Sequence, residues 1–264
     1  MPFLTLTTDF GSKDGFVGTM KGVIWKICPD VQIADITHEV APQNVQEGAI
    51  ALWRAYAFFP EGTVHVAVVD PGVGTQRRAI AARLGAHYFV APDNGLLTPI
   101  LEETEKKGLP VQFVNLTNPD YWLPDVSHTF HGRDIFSPVG AHLAHGVPLA
   151  DLGPVITDVT RVALPRPEKT TGGWRAQISV IDIFGNLTTN LPASVLTGQR
   201  NITFRLKGAE VNGMVASYGH RQPGELVALE DSEGYIEIAI VNGNGAKKLG
   251  AKVGDVVDVE IAHD

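Results

Sequence analysis

Cysteine is almost absent. Cys28 is the single thiol in 264 residues, so an intrachain disulfide is excluded. That usage suits a reducing compartment, and a cytoplasmic location is expected. Cys28 closes an apolar stretch that begins at Gly22, which reads as a packed thiol and not a nucleophile. Basic runs are also missing. Lys and Arg number 21 against 29 Asp and Glu, a formal net charge of −8, so neither a nucleic acid nor an anionic membrane is an expected partner. A cationic small molecule stays compatible with that charge. No apolar run approaches the length of a membrane span. The opening Pro2-Phe3-Leu4-Thr5-Leu6 has no basic region and no long apolar region, so no signal peptide is expected. Gly-Lys-Ser/Thr, His-Glu-x-x-His and Cys-x-x-Cys do not occur, which removes the P-loop and the commonest zinc frameworks.

What the chain does have is apolar material: 44% of residues are hydrophobic, ample for one large core or two modest ones. The first 160 or so residues alternate between strand and helix patterns. Phe3 to Thr8 reads as a strand, Gly15 to Ile27 as a helix and Val31 to Ile36 as a strand. Val45 to Phe58 has the apolar spacing of a helix, and Thr63 to Val69 is β-branched. Ala79 to Arg83 and His87 to Ala91 suggest a hairpin. Leu96 to Lys106 and Phe136 to His145 read as helices stopped at Gly108 and Gly146. This alternation predicts an α/β N-terminal domain over 1–165, a central sheet flanked by helices. Residues 166–173 are Pro-, Gly- and polar-rich and read as a linker. Short alternating segments then fill 174–264: Arg175 to Asp182, Ile202 to Leu206, Val211 to Ala216, Leu226 to Glu230, Tyr235 to Ile240 and Val256 to Ile261. They predict a smaller C-terminal all-β barrel domain.

In an α/β sheet, ligands gather at the carboxyl ends of strands. Three polar clusters are expected there. Thr7-Thr8-Asp9-Phe10-Gly11 follows the first strand, with Asp14 in the next turn. Asp9 reads either as a helix N-cap or as an acceptor for a ribose diol. Asp70-Pro71-Gly72-Val73-Gly74-Thr75-Gln76-Arg77-Arg78 follows the β-branched strand and reads either as a tight loop with exposed N–H groups or as a structural turn with an ion pair. Ser127-His128-Thr129-Phe130-His131-Gly132-Arg133-Asp134 precedes a helix. Histidine is the side chain that titrates nearest neutral pH, and a loop histidine before a helix can reach a pocket. Asp134 reads either as part of this polar cluster or as only the helix N-cap, and Arg133 as a stabilising cation. His128, His131, His142 and His145 also raise the question of a metal site. In the β domain, Asp182 and Asn186 stand among apolar residues. Tyr218, Asp231-Ser232-Glu233 and the Asn242-Gly243-Asn244-Gly245 turn follow.

Five strings, in order, carry a resemblance: residues 7–11, Val69-Asp70-Pro71-Gly72-Val73-Gly74-Thr75, Ala91-Pro92-Asp93-Asn94-Gly95-Leu96-Leu97-Thr98, Phe130-His131-Gly132-Arg133-Asp134-Ile135-Phe136 and Asp182-Ile183-Phe184-Gly185-Asn186. Together they resemble the S-adenosyl-L-methionine hydrolases, the adenosyl-forming family related to the fluorinases and chlorinases. The resemblance implies attack of water on C5′ of the substrate, giving adenosine and methionine without a metal or organic cofactor. It implies a homotrimer whose sites lie between the N-terminal domain of one subunit and the C-terminal domain of its neighbour. It carries the water-activating triad onto Asp70, Arg77 and His131 and the ribose contact onto Asp9. Methionine contacts fall on Asp182 and Ser232, and adenine contacts on Asn186 and Tyr218. Asp14 and Gly132 join the substrate-binding set. Halogenases place Tyr where this chain has Asp70, and Tyr-Ser where it has His131-Gly132. Glu233 stands where they carry Arg, and their inserted loop is a short turn here at Leu84-Gly85-Ala86. A metal-dependent nucleotide hydrolase built on the four histidines, and a non-catalytic nucleoside- or sulfonium-binding protein, are the competing readings.

Overall fold

The computed structural model describes residues 1–262, which divide into two compact units, 1–163 and the residues from 164 on. The first unit holds β1 (Phe3–Thr8), α1 (Phe16–Ile27), β2 (Gln32–Thr37), α2 (Val45–Tyr56), β3 (Val64–Val68), β4 (Ala79–Leu84), β5 (His87–Pro92), α3 (Thr98–Lys106), β6 (Val111–Asn115), α4 (Ser137–Ala144) and β7 (Val155–Ile156). The seven strands form one sheet in the order β2-β1-β3-β5-β4-β6-β7. β1, β2, β3 and β5 run parallel; β4 is antiparallel to both β5 and β6.

Alternation along the strands supplies a core to each face. Leu4, Leu6, Val64, Val66 and Val68 pack with Met20 and Ile24 of α1 and Val139 of α4. Ala67, Val69, Ile80 and Ala82 pack on the other face with Leu52 of α2 and Ile100 of α3. Full burial of each such Leu or Ile side chain stabilises by about 1.5–3 kcal/mol. α2 starts where the side chain of Asn44 accepts from the backbone N–H of Glu47 (3.1 Å), satisfying one exposed helix donor, and its amide donates to the Glu47 carboxylate (3.0 Å), which holds the cap in place.

This topology fixes where a ligand can be met. From β1 the chain leaves over one face through α1 to β2, then returns over the other face through α2 to β3 on the far side of β1. The carboxyl ends of β1 and β3 therefore flank a topological switch point, the usual crevice of an open α/β sheet. Thr8 is in register with Val68, so Asp9 and Asp70 leave neighbouring strands close to the same level.

The second unit holds β8 (Glu168–Thr170), β9 (Gly173–Ile181), β10 (Leu187–Pro192), β11 (Ile202–Leu206), β12 (Ala209–Asn212), β13 (Leu226–Glu230), β14 (Tyr235–Ile240), α5 (Gly245–Leu249) and β15 (Val256–Ile261). Its sheet runs β12-β11-β15-β9-β10-β14-β13, with β8 paired to β9. The chain just after β12 reaches back to β13 through Val215 N–H donating to the Ala228 carbonyl (2.9 Å), so the sheet is nearly closed. Phe204, Ile178, Leu187, Ile236 and Val257 fill it.

Some expectations need correction. The stretch read as a linker contains β8, because Glu168 to Thr170 pair with Gly173 to Arg175 around a short turn. The C-terminal unit is not wholly β: Asn244, read as a turn residue, caps α5 by accepting from the Lys247 N–H (2.7 Å). β6 and β10 had no strand reading. The first is short and half exposed, and the second is rich in Thr and Asn.

Candidate active site

Asp70 leaves the end of β3 with its side chain only 5% exposed. The loop from 70 to 77 turns back so that Arg77, 8% exposed, meets it. The Arg77 Nε–H donates to one Asp70 oxygen at 3.0 Å, and Nη2 donates to the other in a short contact. Such a fork of two parallel bonds fixes both groups in plane. The second hydrogen of Nη2 points to His131 Nδ1 at 3.1 Å, while Nη1 donates to the Arg78 carbonyl (3.3 Å). The guanidinium also lies over the Phe136 ring, 5.3 Å from its centroid.

These contacts decide the state of the imidazole. Arginine is always a donor, so Nδ1 of His131 accepts and the proton of the neutral ring sits on Nε2. Burial, then the positive charge of Arg77, hold the His131 pKa below its ordinary value. The ring is therefore neutral near pH 7.

The loops meet because residue 74 is glycine. Gly74 has φ +75°, and a Cβ there would lie 2.3 Å from the His128 carbonyl oxygen. Gly132 is a similar case of space: a Cβ would press on the rings of Phe130 and Phe10 at 3.2 and 3.3 Å. Phe10, Phe16 and Phe130 form an edge-to-face cluster with centroids 5.2–5.8 Å apart.

Asp9 is no helix cap. α1 starts later, behind Gly15, and the Asp9 carboxylate accepts from the backbone N–H of Gln43 (2.8 Å). Gln43 has φ +66°, a left-handed conformation uncommon for a residue with a side chain. Asp14 is exposed in the turn before α1, and no hydrogen bond holds its side chain among the described residues. Arg78 stands apart from the triad, clamping Asp93 (2.8 Å) and Asp158 (2.8 Å).

Asp134 is not the cap of α4. That helix starts at Ser137 after one turn of π-helix over Gly132–Phe136. The fully buried Asp134 carboxylate instead accepts from the N–H and hydroxyl of Ser127. The histidines are dispersed: His142 packs its ring edge-on to Tyr121, and His131 is taken by Arg77. Among the described residues, no cluster of three or more His, Cys, Asp or Glu is arranged to hold a metal ion.

In the second unit the Asp182 carboxylate closes the β9–β10 turn. It accepts from Phe184 N–H (2.9 Å), Asn186 N–H (2.8 Å) and the Asn186 amide (2.9 Å). Tyr218 donates its hydroxyl to Glu237 (2.6 Å). Burial first, then that bond and the charges of Glu237, Asp182 and Asp231, push the phenol pKa up. Tyr218 is thus an anchored, neutral ring, 42% exposed, beside several acids. Ser232 is exposed and donates to Glu233 (2.9 Å). The structure thus joins Asp70, Arg77 and His131 directly, and separately groups Asp182 and Asn186, and Tyr218 with Glu237. Gln43 builds the site and had no reading in the sequence, while Gly74, Ser127 and Asp134 stood in the polar clusters without the site-building parts the structure gives them. The Gly72/Gly74 pair was the one visible signal, since a glycine in a loop between two charged residues invites close approach.

Two family models cover most of the chain. The SAM hydroxide adenosyltransferase N-terminal domain matches residues 4–153, and the C-terminal domain of the same family matches 176–258. A Salinispora tropica protein named (R)-S-adenosyl-L-methionine hydrolase is 42% identical over 259 residues, 96% of each chain. A fluorinase of an Actinoplanes species is 31% identical over 217 residues, 72% of each chain. A crystal structure of an uncharacterized conserved protein from Thermotoga maritima superposes with TM-score 0.90 at 36% identity, covering 97% of this chain and 99% of that one.

Proposed function

This chain belongs to the SAM hydroxide adenosyltransferase family, and we propose that it hydrolyses S-adenosyl-L-methionine to adenosine and L-methionine. One observation carries the reading: Asp70 and His131 are both held by a single guanidinium, Arg77, beside the crevice at the carboxyl ends of β1 and β3. The relatives named hydrolases give the substrate class.

The chemistry suits these groups. The sulfonium leaves as a neutral thioether, so no acid has to protonate the leaving group and no metal has to neutralise it. The requirement is a water molecule stripped of bulk solvent and aligned in line with C5′. Each Asp70 oxygen keeps a second lone pair while Arg77 grips the first, so the carboxylate accepts an O–H of the water and points its oxygen at carbon. His131 has given its one acceptor to Arg77, so the neutral ring does not take the water's proton; it holds Arg77, and through it Asp70, in place around the water. As the C5′–O bond forms, the C5′–S bond breaks and its electron pair leaves on sulfur. The attacking oxygen becomes strongly acidic, and its proton passes by way of Asp70 to solvent. Attack from the face opposite sulfur inverts C5′.

Asp9 receives the ribose hydroxyls. Asp182 and Ser232 hold the methionine portion, and Asn186 and the Tyr218 ring hold the adenine, with Asp14 and Gly132 lining the substrate site. The working assembly is a homotrimer in which the barrel of one subunit completes the α/β site of the next. The tip of the β9–β10 turn supports this, since Ile183 and Phe184 are 91% and 72% exposed next to Asp182. No helix among the described residues is long and apolar enough to cross a membrane. The single thiol supports a cytoplasmic setting. Chromatography of S-adenosyl-L-methionine incubated with the purified chain tests the reading. Equal amounts of adenosine and methionine, unchanged by a chelator, are expected. Adenine or S-adenosylhomocysteine would mean that a different bond breaks.

A further inference from the structure

The hydrogen bonds of Asp134 run away from the helix that follows it and toward the loop that carries His131. One carboxylate oxygen accepts from both the backbone N–H (2.8 Å) and the hydroxyl (2.6 Å) of Ser127. The Ser127 hydroxyl oxygen in turn accepts the N–H of Phe130 (3.1 Å), the residue before His131. The Asp134 N–H donates to the Phe130 carbonyl (3.1 Å), and the Asp134 carbonyl accepts from Leu123 N–H (2.9 Å). The second carboxylate oxygen is gripped by Arg133 Nε at 2.5 Å, whose guanidinium lies over the Phe130 ring, 5.2 Å from its centroid.

Burying a carboxylate completely is costly, and the chain repays it only with this set of bonds. A helix cap would direct its oxygens to the first N–H groups of α4. This one directs one oxygen to residue 127, four positions before the imidazole, and the other to Arg133. We infer that Asp134 is a positioning residue for the reaction: through Ser127 and Phe130 it sets the loop that aims His131 at Arg77, and so the geometry of the water site. The inference rests on the reading of Asp70, Arg77 and His131 as the group that holds the water.

A purely structural carboxylate would move stability alone. A positioning one also moves turnover and the imidazole. The negative charge of Asp134, like that of Asp70 and a hydrogen bond to the Ser127 backbone, favours the charged ring, against burial and Arg77. Removing it should therefore lower the titration of His131 further.

The test uses the full-length chain with four variants: Asp134→Asn, Ser127→Ala, Ser127→Thr and, as the reference, His131→Ala. Turnover, substrate Kd by calorimetry and Tm are measured for each, and the NMR titration of the His131 ring for the parent and the three variants that keep it. Asp134→Asn is expected to lower kcat by about 10–100-fold, the scale of a misplaced reacting group. Kd should change by less than about threefold, because the ligand contacts are untouched, and the His131 titration should move down. Ser127→Ala should lower kcat by about 10-fold, and Ser127→Thr, which restores the hydroxyl, should recover most of it. If Asp134→Asn fails to fold, the two Ser127 variants decide. Near-parental kcat in Asp134→Asn and Ser127→Ala beside a crippled His131→Ala would overturn the inference and leave the triad standing. Near-parental kcat in His131→Ala would overturn the triad itself, and the inference with it.

Discussion

Replacing Gly74 with alanine tests whether the water site depends on the contact of two loops. The Cβ would lie 2.3 Å from the His128 carbonyl oxygen, whereas a relaxed C···O contact is about 3.3–3.6 Å. One backbone must therefore retreat by about 1 Å, and neither partner is a side chain that can rotate aside. Gly74 is three residues from Arg77 and His128 is three from His131. The Arg77–His131 bond, already 3.1 Å, would open beyond hydrogen-bonding range. An active-site displacement of about 1 Å costs on the order of 10²-fold in rate. The left-handed backbone at φ +75° adds about 1–2 kcal/mol of strain for a residue with a Cβ, which lowers Tm by a few degrees (about 2–4 °C per kcal/mol) in a chain of this size. Gly72→Ala is the control, since its Cβ would meet Arg77 at an ordinary 3.5 Å. Turnover, substrate Kd and Tm of both variants form the assay. A Gly74→Ala protein that lost the expected stability yet turned over normally would refute the link between loop contact and catalysis.

Asp70→Asn keeps the shape of the site but removes the acceptor and the charge that pairs with Arg77. kcat should fall by about 10²–10⁴-fold with a much smaller change in Kd. Arg78→Ala should leave kcat near normal but lower stability by about 1–3 kcal/mol, because it takes the charge partner from the buried Asp93 carboxylate; kinetics and thermal melts separate the two effects. Sedimentation of the active enzyme should give about three times 28.3 kDa, and a fully active monomer would exclude a shared site. Acid should weaken the α/β unit through buried His65, whose pKa burial and His87 depress to about 3. Its Nδ1 meets the Thr5 hydroxyl (2.8 Å) and its Nε2 meets His87 (3.3 Å). Tyr56, pushed up to about 12 by burial and Glu103, faces both rings, and Glu61 acts on His87 in the opposite sense to burial. Below the unfolded value of 6.5 the unfolded chain binds a proton that the folded one refuses. Stability is thus fully present above that pH and declines toward pH 3 at up to about 1.4 kcal/mol per pH unit. Melts from pH 7 to 4 should show this slope, and His65→Phe should flatten it.

The strands and helices of the first unit were legible because burial sets their periodicity: Phe3 to Thr8 and Val45 to Tyr56 alternate or repeat as a buried face requires. β10 was not, because Thr188, Thr189 and Asn190 look like a polar loop until Val180 pairs with Thr188 and Ile178 with Thr189. The residues of the triad were legible as polar clusters at strand ends, and their assignment came from the family strings. Their linkage was not, since Arg77 and His131 are 54 positions apart and nothing local signals that two loops touch. The helix-cap alternative for Asp134 failed for a related reason. An acid before a helix resembles a cap, and only the fold shows that its partners lie upstream.

The central claim is that water attacks C5′ and sulfur departs. The direct measurement is a turnover in oxygen-18-labelled water with both products analysed by mass spectrometry. The account predicts one labelled oxygen in adenosine, at the 5′ position, and none incorporated into methionine. Unlabelled adenosine, or label in the amino-acid fragment, would contradict it, because the oxygen would then have entered elsewhere or the bond cut would be on the other side of sulfur.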